Sequence, residues 1–183
     1  KAEGQALLRR LVSHADVLLE NFRPGTFEKW GLGYDQLSAL NPGLVLVRVS
    51  GYGQTGPYAP RAGFGSIGEA MGGIRFTTGE PDRPPSRSGV SLGDTLAATF
   101  AALGTVLALR ARDRTGRGQV VDSAIYEAVL ALMESVLPEW ELGAYQRQRT
   151  GSVLPGVAPS NVYGTADGEE ILIRTGEPTR VLH

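Results

Sequence analysis

Two stretches decide the fold: Asp16-Val-Leu-Leu-Glu20 and Leu44-Val-Leu-Val-Arg-Val-Ser50. The second is a nearly continuous apolar run, the pattern of a parallel strand covered on both faces. The first reads as a short buried strand. Between them, Thr26 or the turn before it opens a short helix through Trp30. A second helix runs from Tyr34 to Leu40 and is ended by Asn41-Pro42-Gly43. Ahead of them, Leu7, Leu8, Leu11 and Val12 recur at helical spacing, with Arg9 and Arg10 towards solvent. Helix, strand, helix, strand is the alternation that favours a parallel α/β sheet. Two strands alone do not make a stable sheet, so partner strands are expected from outside this chain.

Beyond Ser50 the pattern changes. Gly51 to Gly63 reads as a loop, Phe64 to Met71 as a short helix and Thr77 to Ser88 as a second loop rich in proline and charge. Asp94 to about Ala111 is the strongest helix. One face carries the small residues Ala97, Ala98, Ala101, Gly104 and Ala108, and the larger apolar residues are Leu96, Phe100, Leu103 and Leu107. Small residues let another backbone come close, so deep packing is expected. Thr115-Gly-Arg-Gly-Gln119 is a turn into a short extended segment, Val120 to Ser123. A second buried helix is expected from Ala124 to Val136, ended by Pro138. Asp167-Gly168, flanked by Val162-Tyr163 and Ile171-Leu-Ile173, predicts a β-hairpin.

Composition narrows the chemistry. At 183 residues the chain is one domain or a piece of a larger one. With 42% hydrophobic and 20% charged residues it is globular. Eighteen basic against nineteen acidic residues give a net charge of -1, which disfavours general nucleic-acid binding. There is no cysteine, and the only histidines are His14 and His183. That removes disulfides, thiolate metal sites and a cysteine nucleophile, and leaves little for a histidine zinc site or a Ser-His-Asp triad. No apolar run is read as a membrane span and no signal peptide opens the chain, so a cytoplasmic protein is expected.

Asp94 is the first candidate for chemistry. It follows Ser91-Leu92-Gly93 at the start of the long helix. A carboxylate there can cap the helix through its free N–H groups. It can equally act as a nucleophile, since carboxylates form covalent intermediates and the preceding glycine lets a ligand approach. The residues alone leave both open. Asn21-Phe22-Arg23-Pro24-Gly25 lies past the carboxyl end of a strand, where ligands bind in open α/β sheets. Phe22 offers an aromatic face, and Arg23 and Lys29 offer positive charge, which suits a nucleotide with phosphates. An ordinary loop with Phe22 in the core fits as well. Arg61-Ala62-Gly63-Phe64 has the same character. Gly51-Tyr-Gly-Gln54 has the spacing of a tight glycine loop. Glu127 and Glu134, seven apart, are expected on one helix face, solvated or paired.

Taken in order, ENFRPG (20–25), SGYGQTGPYAPRAGF (50–64), TGEPDRPPSRSGVSLGD (78–94) and RTGRGQVVDSAIYEAV (114–129) closely resemble the class III CoA-transferases. This is the CaiB/BaiF family, which also contains formyl-CoA transferase, carnitine-CoA transferases and α-methylacyl-CoA racemase. The resemblance implies an α/β fold: part of a Rossmann-like parallel-sheet domain, then long buried helices and a C-terminal hairpin, with residues 1–183 as one family domain lacking the family's N-terminal start and C-terminal part. It implies transfer of CoA from an acyl-CoA to a carboxylic acid. Asp94 would pass through a mixed anhydride and an aspartyl-CoA thioester. Asn21, Phe22, Arg23, Lys29, Arg61, Ala62, Gly63 and Phe64 would hold CoA. Neither a metal nor a permanently bound cofactor is implied. The partners would be acyl-CoA, the acid and a second copy in an interlocked homodimer. The family's racemases carry a His-Asp pair where this chain has the stretch Phe64-Gly65-Ser66, with neither residue, which disfavours racemisation or epimerisation. A chain that only binds CoA is the remaining alternative. Arg174 to His183 does not resemble the family's continuation.

Overall fold

The computed structural model describes residues 1–174; the stretch from Arg174 to His183, expected above not to resemble the family's continuation, lies, after Arg174, outside them. In chain order the elements are α1 (Ala2–Val12), β1 (Val17–Glu20), α2 (Thr26–Lys29), α3 (Tyr34–Leu40), β2 (Val45–Ser50), α4 (Gly65–Met71), α5 (Ile74–Thr77), α6 (Leu92–Thr115), β3 (Val120–Ala124), α7 (Ile125–Ala131), α8 (Val136–Gly143), β4 (Ser160–Gly164) and β5 (Glu170–Arg174). They form two compact units. The first takes Lys1–Gly73 and Val90–Glu134; the second takes Ile74–Gly89 and the chain from Ser135.

In the first unit, β1, β2 and β3 form a parallel sheet in that order. The segment expected to be extended from Val120 to Ser123 is this third strand, so the sheet has one strand more than the two read as parallel. Its sequence, VVDSA, interrupts the apolar run with Asp122 and Ser123, so it lacks the continuous pattern that marks β2. Alternation along β2 and the residue before it sends Leu44 and Leu46 to one face, with Val12, Phe27, Leu32 and Leu37. Val45 and Val47 face the other way, onto Ala101 and Ala108 of α6. The sheet is thus covered on both faces, as a parallel sheet requires.

α6 is longer than expected and packs on one side only. Gly93, Ala97, Ala101 and Ala108 are buried, whereas Leu103 and Leu107 are 55% and 61% exposed. Small side chains bring the helix axis close to the sheet, which leaves the large ones on the far side. By length and composition α6 is also apolar enough to cross a membrane, an 18-residue stretch of it having a mean hydropathy of 1.6, contrary to the sequence expectation. Core helices of folded domains share this length and composition, and the alanine stripe of α6 lies against the sheet. The helix ends at Gly116 (φ 71°), whose N–H donates to the Arg112 carbonyl. Gly118 then passes against the Leu44 carbonyl with no room for a side chain.

The expected helix from Ala124 to Val136 is two helices. α7 stops at Ala131, and Glu134 (φ 54°) lies beyond it, off the face of Glu127. Pro138 does not end a helix. It sits in the first turn of α8, where its missing N–H has no intrahelical partner to lose. In the second unit, Arg147 pairs with Glu139 and also donates to the Ser135 hydroxyl. β4 and β5 form the expected antiparallel hairpin.

Candidate active site

The site is built where the C-terminal ends of β1 and β2 meet the N-terminus of α6. Ser91 takes the N-cap position, so Asp94 lies inside the first turn and the simple capping role does not apply to it. Its side chain is exposed. It lines a cavity of about 470 Å³ together with Leu19, Asn21, Gly63 and Phe64, and Ala98, Ala101 and Ala102 form part of the wall.

Two loops shape this cavity by touching at backbone level. A Cβ on Gly51 would lie 2.4 Å from the Gly63 Cα, so the glycine loop and the Arg61–Phe64 loop fit together only without side chains there. The Gln54 N–H donates to Asp122 Oδ2 at 2.7 Å, which ties the glycine loop to β3. Tyr52 packs its ring on those of Tyr58 and Tyr126. The Arg61 guanidinium lies 4.2 Å from the Tyr58 ring centroid.

The loop after β1 is held from below by buried charge. Arg48 Nε donates to Glu20 Oε1 at 2.6 Å, and Nη1 donates to Glu28 Oε1 at 2.6 Å. Arg48 and Glu20 are both buried. Glu20 Oε2 accepts the Phe22 N–H at 2.7 Å. The hydrogen bond from Arg48 holds the Glu28 carboxyl below its ordinary value, against the opposing effect of partial burial. Phe22 is 47% exposed, which rules out the core reading of its ring. It packs edge-on to Trp30 at 5.1 Å and also against Phe27. These three rings and Leu19 line a second cavity of about 380 Å³.

The structure therefore brings Asn21, Gly63, Phe64 and Asp94 to one cavity and places Phe22 on the next, with Leu19 shared by both. Arg23, Lys29, Arg61 and Ala62 are exposed and line neither. Residue-by-residue reading missed Trp30, Arg48 and Glu69. Glu69 is 2% exposed, and its Oε1 accepts the Gly93 N–H at 3.2 Å. Its signal was present: helical spacing puts Glu69 on the face of Gly65, Gly68 and Gly72, the face small enough to be buried.

The family model for CoA-transferase family III matches residues 1–182. The chain belongs to CoA-transferase family III. Within the family, the chain is 66% identical over 177 residues to succinyl-CoA--D-citramalate CoA-transferase of Chloroflexus aurantiacus, an alignment covering 97% of this chain and 44% of that protein. It is 44% identical over 173 residues to the beta subunit of succinyl-CoA--L-malate CoA-transferase from the same organism, covering 93% and 43%. Among solved structures, a CAIB/BAIF family protein from Brucella suis superposes with a TM-score of 0.88 at 38% identity, covering 96% of this chain and 46% of that one. The chain spans less than half the length of these relatives.

Proposed function

We propose that this chain carries the reacting carboxylate of an acyl-CoA:carboxylate CoA-transferase, with Asp94 as nucleophile. One observation carries the reading: the exposed Asp94 side chain lines a cavity that Asn21, Gly63 and Phe64 also line. An Asp94 oxygen attacks the donor thioester carbon and expels CoA thiolate, giving an aspartyl-acyl anhydride. The thiolate attacks the Asp94 carbonyl carbon and releases the donor as its carboxylate, leaving an aspartyl-CoA thioester. The acceptor carboxylate attacks that thioester and expels CoA thiolate. The thiolate then attacks the acceptor carbonyl of the new anhydride, forming acceptor-CoA and freeing Asp94. Every intermediate keeps an activated acyl group, so no step discards the thioester free energy.

The Phe22, Phe27 and Trp30 rings suit the CoA base, and Arg23, Lys29 and Arg61 supply charge for its phosphates. Leu19, common to both cavities, lies where the pantetheine arm passes between them. The two named relatives support succinyl-CoA as donor and a hydroxylated dicarboxylic acid as acceptor. The exposed apolar residues of α6 support assembly into a homodimer.

The test is to follow CoA exchange with Asp94→Ala and Asp94→Asn. Both are expected to be inactive while still binding CoA in a calorimetric titration. Hydroxylamine should convert Asp94, and no other residue, to a hydroxamate during turnover. Full exchange by either variant overturns the assignment. Deuterium entering the α-carbon of the acyl group from solvent, without exchange, would replace transfer by racemisation.

A further inference from the structure

Glu69 is a buried carboxylate that the reaction above does not use. It extends from α4 to the first turn of α6, where Oε1 accepts the Gly93 N–H at 3.2 Å. That N–H is one of the donors a helix start leaves without an intrahelical acceptor, and a negative group suits that end of the helix dipole. Packing at Gly93 is close on three sides. A Cβ there would lie 3.1 Å from the Gly65 carbonyl oxygen, 3.1 Å from Ile125 Cγ2 and 3.2 Å from Glu69 Cγ. One turn earlier on α4, Gly65 lies against the Asp94 carboxylate itself. A single short helix thus grips two consecutive residues, Gly93 by a hydrogen bond and Asp94 by contact.

We propose that Glu69 is a positioning residue for the Asp94 nucleophile: by accepting the Gly93 N–H it sets where the first turn of α6 begins and so where the reacting carboxylate stands. This rests on the transferase reading. A displaced nucleophile can lose on the order of 10²-fold in rate, while the aromatic end of the CoA site lies on other elements.

The experiment compares Glu69→Gln, Glu69→Met and Asp94→Ala in the purified protein, measuring kcat, KM for acyl-CoA, CoA affinity by calorimetry and the rate of acyl-enzyme capture by hydroxylamine. Glutamine keeps an oxygen acceptor; methionine fills the space without one. Glu69→Met should lower kcat and the capture rate on the order of 10²-fold with KM and CoA affinity within about twofold, and Glu69→Gln should restore most of the rate. A Glu69→Met enzyme at wild-type kcat, or a Glu69→Gln enzyme as slow as Glu69→Met, overturns the inference. If Glu69→Met does not fold, Glu69→Gln alone decides, since retention of its rate is required. An active Asp94→Ala enzyme would instead overturn the underlying function.

Discussion

Gly65 presents a bare Cα to the carboxylate of Asp94: a methyl group at Gly65 would lie 2.6 Å from Asp94 Oδ2 and 3.0 Å from Cγ. The start of α4 is therefore one wall of the Asp94 site, and this carboxylate orientation and a side chain at position 65 exclude each other. This also gives physical content to the missing His-Asp pair, because an acid at position 65 would need Asp94 to stand elsewhere.

Gly65→Ala is expected to separate activity from stability. The obstructing atom ends a flexible, exposed side chain, so Asp94 can rotate away at little cost. Gly65 is the first residue of α4, so alanine gains there less than the about 1 kcal/mol it has over glycine in a helix interior. The variant should melt within a few degrees of the parent and lose exchange activity on the order of 10²-fold. Unchanged activity would mean that the observed orientation of Asp94 is not the reactive one.

At the Gly51–Gly63 crossing the obstruction is backbone, and relief needs movement of a whole loop. Gly51→Ala should destabilise the protein by about 1–3 kcal/mol, the range for overpacked sites. CoA binding should weaken with it, because Gly63 and Phe64 line the Asp94 cavity. Urea unfolding and calorimetric titration measure the two effects separately; a variant of wild-type stability would show that the loops do not meet this closely.

Arg48→Met leaves Glu20 buried without its cation. Removing one partner of a buried pair typically costs about 3–5 kcal/mol, so the variant should be far less stable than Glu20→Leu combined with Arg48→Met. Chemical denaturation of the single and double variants provides the measurement. Equal stability of the two would place the charge pair outside the load it is assigned here.

The same cation sets an acid dependence. The Arg48 hydrogen bond lowers the folded-state pKa of Glu28 from its ordinary 4.5. A depressed carboxyl stabilises the fold above the unfolded value, and that contribution disappears as pH falls from about 4.5 through the folded value. Glu28→Gln should therefore flatten the loss of stability below pH 4.5 while leaving the slope above pH 6 unchanged. Glu28 is half-exposed, so the change is small and is best read from midpoint against pH.

What the amino-acid order determined by itself was local or repeated along the chain. β1, α3, β2 and the hairpin were legible because side-chain periodicity, turn residues and apolar runs act over a few neighbouring residues. The family was legible because four motifs occur in order. Tertiary structure alone decided the rest. It enrolled β3, whose polar residues hide its place beside β2. It turned the small face of α6 inward and left Leu103 and Leu107 outside. It also set Glu69 on Gly93, Gly65 against Asp94, and Arg48 on Glu20. Each of these joins residues from separate elements, and its energy depends on distances that no local pattern records: a Cβ that would not fit, or a buried charge that needs a partner from another element.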